Sequence, residues 1–231
     1  MGSVLFSSIL SDVSSKYGLR YFNGSSSDRP KNTDVWLQIH SKVDVDKAND
    51  LYRGVHIIRH PYQVICSAYE YHRICDERWC VDANVPTQAN GVAYDFDGLS
   101  YQEYLNSIPK DDGLLVEIRG RSYDAIRDMY HWDYSDPHFI NIHFEDILSD
   151  YTGQMRRIFA HLRLSELGLD GLLEISDRHD TAKWAQNRLA KSRHISNKKR
   201  RQFTYKEILK DQHYRLIEEI YPADLLSRVG Y

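Results

Sequence analysis

The sequence predicts an α/β fold: a three-layer arrangement in which a parallel β-sheet is flanked by helices. Three short apolar segments rich in Val and Ile have the composition of strands buried on both faces. Amphipathic helical segments separate these strands along the chain, and such alternation is typical of parallel sheets. The 231 residues contain no internal repeat and no low-complexity tract, so we expect a single domain over residues 1–231.

The first element is a helix over residues 4–17. Leu5, Ile9 and Val13 recur at helical spacing on one stripe, and Gly18 follows as a stop signal. The three predicted strands are residues 34–40, 54–59 and 138–144. The predicted helices between and after them are residues 62–75, 101–108, 113–130 and 151–162, the first of which follows a proline at the first helical position.

Two later segments complete the predicted architecture. Residues from about 80 to 112 are polar and dotted with Tyr, Asn and Gly, which indicates an irregular insertion of the kind that often carries the substrate side. The last long helix begins at Thr204, which is spaced with Glu207 as a capping box. Its apolar face continues to Ile220, and Pro222 ends it.

Composition excludes several classes of protein. A net charge of −3 with 27% charged residues does not favour general nucleic-acid binding. No apolar run is long enough to span a membrane, and the first residues lack the cationic start and cleavage site of a signal peptide, so we expect a cytoplasmic location. The three cysteines are odd in number and lack zinc-site spacing, which predicts free thiols in or near a core.

Two polar side chains stand at the ends of predicted strands, where open parallel sheets bind their ligands. Arg59 ends the second strand, and an arginine there is suited to hold a phosphate through its planar fork; the alternative is a pair with a carboxylate at the sheet edge. His40 ends the first strand, as a proton acceptor or as a hydrogen-bonded structural histidine.

The segment IIRHPYQVICSAYEYH, residues 57–72, resembles the 3′-phosphate-binding segment of sulfotransferases that use 3′-phosphoadenosine 5′-phosphosulfate (PAPS). In that family a strand ends in Arg-x-Pro, and a serine follows eight positions after the arginine. Arg59, Pro61 and Ser67 match this pattern. The resemblance implies a fold like that of the P-loop nucleoside-triphosphate hydrolases, in which Arg59 and Ser67 bind the 3′-phosphate.

Three further segments resemble the family in the same order along the chain. The segment INIHFEDILSD, residues 140–150, resembles a strand that ends in Tyr-Glu-Asp, with Phe144 in place of the tyrosine. QIH, residues 38–40, resembles Lys-x-His, so His40 is implied as general base while Gln38 replaces the lysine. KSRHISNKKRRQFT, residues 191–204, resembles the basic loop over the 3′-phosphate, which implies phosphate contacts from Lys191 and Arg193.

The amino terminus matches only half of a family motif. Gly2 and Ser3, followed by a helix, resemble the second half of the loop whose amides hold the 5′-phosphosulfate, and the lysine and strand that begin that motif do not precede them. A simple helix cap is the alternative interpretation of Gly2 and Ser3. We therefore expect either a piece of a longer protein or a degenerate site with weak activity.

The resemblance implies a sulfotransferase that moves a sulfuryl group from PAPS to a hydroxyl or amine of a small-molecule, carbohydrate or lipid acceptor. The product 3′,5′-bisphosphoadenosine would leave, and no metal is needed. One alternative is a catalytically degenerate module that binds a nucleotide or a partner. Another is a P-loop nucleotide kinase, which is disfavoured because the sequence has no Gly-x-x-x-x-Gly-Lys-Ser/Thr loop. The acceptor and the oligomeric state do not follow from the sequence.

Overall fold

The computed structural model describes residues 2–44, 52–89, 92–185 and 204–231. Its strands are β1 Tyr21–Asn23, β2 Val35–Leu37, β3 Gly54–Ile58, β4 Thr87–Ala89, β5 Val92–Tyr94 and β6 Phe139–His143. Its helices are α1 Gly2–Tyr17, α2 Pro61–His72, α3 Arg78–Val81, α4 Tyr101–Ser107, α5 Lys110–Arg119, α6 Arg121–Tyr130, α7 Phe144–Ser149, α8 Tyr151–His161, α9 Leu169–Asp177, α10 Tyr205–Ile208, α11 Asp211–Ile220 and α12 Leu225–Arg228. Short 3₁₀ turns lie at Ser26–Asp28, Leu164–Leu167 and Thr181–Lys183.

The chain divides into two compact units, of which the first comprises Met1–Arg59 and His131–Trp184. Two parallel strand pairs lie in it. In one pair β1 runs beside β2, with Tyr21 opposite Val35. In the other, β3 runs beside β6, with Ile58 opposite His143. The predicted α/β class with parallel strands flanked by helices is thereby confirmed.

The core of the first unit forms between these strands and four helices. In the apolar stripe predicted for α1, Ile9 and Val13 are buried and Leu5 is half-buried. Gly18 ends the helix with a φ of +67°, which glycine adopts without a steric penalty. β6 and α7, α8 and α9 supply the facing side chains. The buried residues of this core are Phe6, Ile9, Val13, Ile142, Phe144, Ile147, Met155, Ile158, Phe159, Leu172 and Ile175.

The second unit comprises His60–Tyr130 and Ala185–Tyr231 and is mainly helical in its described residues. α5 packs against both α2 and α11. The two strands of this unit, β4 and β5, form an antiparallel pair with Thr87 opposite Tyr94. The segment predicted as irregular therefore contains an antiparallel strand pair as well as α4.

Several predicted boundaries were wrong. The helix predicted over residues 113–130 is two helices, α5 and α6, separated at Gly120. The predicted C-terminal helix is also two, because the backbone is extended at Leu209 and α11 begins after Lys210, whose amide donates to His213 Nδ1. Thr204 makes no side-chain cap bond. β1 and α9 were not predicted, and β2 ends three residues before His40.

The described residues contain no helix that is both long and apolar enough to cross a membrane.

Candidate functional site

The first turn of α1 lies beside the carboxyl ends of β3 and β6. A Cβ atom placed on Gly2 would lie 3.6 Å from Ile57 Cγ2 and 3.7 Å from Cδ2 of Phe144. Ile57 is the next-to-last residue of β3, and Phe144 directly follows β6. The free amides of a helix start therefore meet the ends of two parallel strands, an arrangement that favours anions.

Arg59 occupies the same edge of the first unit. It follows β3, and its guanidinium carbon lies 5.5 Å from the centroid of the Phe144 ring. Arg59 and Gly2 thus both lie near the ring of Phe144. A guanidinium over an aromatic face is attracted to it by a cation–π interaction, which holds Arg59 at this edge.

The other predicted site residues lie in different parts of the chain: Ser3 is in the first turn of α1, and His40 follows β2. His40 is exposed, has a φ of +62°, and accepts a hydrogen bond through its carbonyl from the Lys42 amide. Ser3 is half-buried in α1. Ser67 belongs to the second unit, where it lies in α2 with 6% exposure. Lys191 and Arg193 lie outside the described residues, so their predicted roles stay predictions.

A partly buried hydrogen-bonded chain in the first unit was not predicted from the sequence. Ser41 Oγ lies 2.7 Å from His56 Nε2, and His56 Nδ1 lies 3.1 Å from Asn141 Oδ1. With its proton on Nδ1, the imidazole donates to Asn141 and accepts from the Ser41 hydroxyl. The only sequence signal was a histidine within the apolar run of β3.

The environment of His56 fixes its charge. The ring stacks on Trp132 at a centroid distance of 4.2 Å, and only 7% of the residue is exposed. Burial lowers the pKa of His56 to about 4, although the hydrogen bond to Asn141 acts in the opposite direction. His56 is therefore neutral near pH 7 and can accept the Ser41 proton in a hydrogen bond.

A second buried cluster is centred on Glu117 in the second unit. The carboxylate accepts hydrogen bonds from His72 Nδ1 at 2.8 Å, the Tyr101 hydroxyl at 2.8 Å and the Ser122 hydroxyl at 2.7 Å. Burial by itself would raise the pKa of Glu117, but His72 and the two hydroxyls outweigh it and lower that pKa. Because the four residues lie on α2, α4, α5 and α6, this carboxylate joins four helices.

Metal chemistry has no candidate site in the part of the chain that the structure describes. Those residues include no cluster of three or more His, Cys, Asp or Glu side chains that could hold an ion.

No protein-family model matches the chain, and no curated protein matches it. Among solved structures, the fold is similar to that of mouse sulfotransferase SULT7A1 complexed with PAP. The TM-score is 0.49 at 13% sequence identity, and the match covers 96% of this chain and 79% of that one. A likeness of this strength assigns neither a family nor a residue role to the chain, and the α/β class follows from its own strands and helices.

Proposed function

We propose that the chain is a sulfotransferase-like protein that binds PAPS and transfers its sulfuryl group to a hydroxyl or amine. The observation that carries this proposal is the meeting of the α1 amino terminus, Arg59 and Phe144 at the carboxyl ends of β3 and β6. Helix-start amides and a guanidinium are the donors that phosphate and sulfate groups need.

The donor set fits an anion that carries more than one charged group. The Gly2 and Ser3 amides open a helix of 16 residues, long enough for its dipole to favour negative charge at this end. Arg59 supplies a planar fork for the oxygens of a second group. We assign the amides to the 5′-phosphosulfate and Arg59 to the 3′-phosphate, an assignment that rests on the sequence resemblance.

The remaining roles in this proposal also come from the sequence. Ser67 would add a hydroxyl donor to the 3′-phosphate, and Lys191 and Arg193 would add cationic groups. His40 would accept the proton of the acceptor hydroxyl, for which its exposed imidazole is accessible. PAPS itself supplies the activated sulfuryl group and a bisphosphate leaving group, so the protein contributes positioning and charge neutralisation.

Calorimetric titration with 3′,5′-bisphosphoadenosine tests the proposal, with ADP as the ligand that lacks the 3′-phosphate. We expect tight binding of the bisphosphate, weaker binding of ADP, and a loss of about ten- to hundredfold in Arg59→Ala, since a hydrogen bond to a charged group is worth about 1.5–3 kcal/mol. Arg59→Lys keeps the charge but not the fork, so its affinity should lie between the two.

Arg53→Ala is the matched control, because Arg53 is an exposed arginine just before the opposite end of the same strand. Its affinity for the bisphosphate should equal that of the unmodified chain. Equal affinity for ADP and the bisphosphate, or equal losses in Arg53→Ala and Arg59→Ala, would refute the assignment of Arg59. Binding without release of sulfated product would favour the degenerate module over the enzyme.

A further inference from the structure

Two buried thiols of the second unit converge on one backbone atom. Cys80 Sγ lies 3.2 Å from the carbonyl oxygen of His72, and Cys75 Sγ lies 3.8 Å from the same oxygen. Cys75 follows the end of α2, and Cys80 lies in α3. Since both sulfurs contact one acceptor, the two side chains point into the same small space.

The contact between the two thiols makes them chemically unequal. A hydrogen bond from Cys80 lowers the pKa of Cys75, although burial acts in the opposite direction. The same contact, together with burial, raises the pKa of Cys80. The thiolate is the nucleophilic form of cysteine, so Cys75 is the member of the pair that reacts first with an oxidant.

If both thiols were oxidised, the carbonyl oxygen of His72 would still accept a hydrogen bond. Gln102 Nε2 donates to His72 O at 3.3 Å and to Cys75 O at 2.6 Å. The carbonyl that receives the two thiols therefore keeps a donor when the thiols are consumed. A buried acceptor left without a partner would oppose oxidation, and this arrangement removes that cost.

The segment that joins the two cysteines is short and exposed to solvent. Cys75 and Cys80 are only 3% and 0% exposed, but residues 76–78 between them are exposed, as are the neighbours Ile74 at 44% and Val81 at 41%. Local opening of so short a segment costs much less than global unfolding. A small oxidant such as hydrogen peroxide can reach the sulfurs through that opening.

We propose that Cys75 and Cys80 are a redox pair that peroxide converts into a reversible intramolecular disulfide. The Cys75 thiolate attacks one peroxide oxygen, the O–O bond breaks, and the departing hydroxide takes up a proton to become water, which leaves a sulfenic acid on Cys75. The Cys80 sulfur then attacks Cys75, the S–S bond forms and the S–O bond breaks. The thiol proton of Cys80 leaves with that oxygen as a second water. Two thiols are oxidised by two electrons in total, and one peroxide is reduced to two waters.

Peptide mapping of the full chain after peroxide treatment tests this proposal directly. Trypsin cleaves after Arg73 and Arg78, so Cys75 and Cys80 fall into the separate peptides 74–78 and 79–110, while Cys66 falls into peptide 60–73. We expect peptides 74–78 and 79–110 to appear joined under non-reducing conditions and to separate after dithiothreitol. Two of the three thiols should be lost to alkylation, and reductant should restore both.

Three variants sharpen the result. Cys66→Ser should still form the cross-linked peptide at the same rate, because Cys66 lies within α2 and outside the pair. In Cys80→Ser the reaction should stop at the sulfenic acid of Cys75, which dimedone traps. Cys75→Ser should react with peroxide at least about tenfold more slowly than the unmodified chain. A disulfide that includes Cys66, a cross-link between two chains, or retention of all three thiols in the folded chain would overturn the proposal.

Discussion

At the scale of single residues, His56 is the group whose charge the fold constrains most clearly in the first unit. Its pKa is about 4 in the folded chain and about 6.5 when exposed to water. Between these two values the unfolded chain binds a proton that the native chain does not bind. Folding stability therefore rises with pH across this window and falls as the pH drops from 6.5 towards 4.

The size of this effect follows from the difference between the two pKa values. At pH values below 4 the free energy of unfolding should be lower by up to about 3 kcal/mol on account of His56 alone. Urea unfolding measured from pH 7.5 to 4 gives the slope. His56→Gln removes this titration and should reduce the slope. An identical pH slope in the unmodified chain and His56→Gln would contradict the buried neutral state.

Some polar residues near the ends of β3 and β6 stand out in the sequence and others do not, for a physical reason. Arg59 stands out in the sequence because an arginine at the end of an apolar run loses hydration energy unless an anion or a carboxylate pairs with it. His56 and Asn141, 85 positions apart, meet through the pairing of β3 with β6, and Ser41 reaches His56 from the segment after β2. No local pattern encodes that meeting. The positive φ of His40 was equally hidden, since a strand pattern predicts extended backbone there.

At the scale of elements, the crossing of α2 and α5 depends on a glycine. A Cβ on Gly113 of α5 would lie 2.6 Å from Cε2 and 3.3 Å from Cζ of Tyr69 in α2, and Tyr69 is fully buried. Alanine at this position would gain up to about 1 kcal/mol of helix propensity but would force the helices apart, at a cost of about 1–3 kcal/mol. We expect Gly113→Ala to lower the free energy of unfolding, and Gly113→Val to lower it further.

Gly171→Ala provides the opposite case in α9. A Cβ there would meet only the ends of two flexible side chains, Lys16 Nζ at 2.9 Å and the Tyr17 hydroxyl at 2.7 Å. These ends move at little cost in free energy, so the gain in helix propensity should exceed that cost. The variant should be as stable as the unmodified chain or slightly more stable. Equal destabilisation by Gly113→Ala and Gly171→Ala in urea unfolding would show that the contacts at the two glycines do not determine the change in stability.

An element is predictable from the sequence when it is long and when local residues determine where it ends. α1 was predicted almost to the residue, since its apolar stripe and Gly18 are both local signals. The break between α10 and α11 was not predicted, because it involves a tertiary bond of His213. Its Nδ1 accepts from the nearby Lys210 amide, and its Nε2 donates to the distant Asp111 carbonyl. β1, only three residues long, carries too little alternation to identify.

At the scale of the whole molecule, alternating strands and helices predicted parallel pairing, and both strand pairs of the first unit are parallel. Which strand would pair with which was not predictable, because the register between β3 and β6 depends on packing contacts distant in sequence. The antiparallel β4–β5 pair lies in the segment predicted as irregular, where no run of apolar residues marked a strand.

The prediction of a single domain over residues 1–231 can be tested by unfolding, because the chain carries separate reporters in its two compact units. All three cysteines are buried in the second unit, so their alkylation reports its opening. Trp79 is the one tryptophan of the four in that unit, and in Trp79→Phe the fluorescence of Trp36, Trp132 and Trp184 reports the first unit alone. We expect thiol exposure and fluorescence in this variant to change at the same urea concentration, since a single domain of this kind unfolds as one cooperative system. Two separated midpoints would show instead that the compact units are independently stable domains, and the boundaries at Arg59 and His131 would then be domain boundaries.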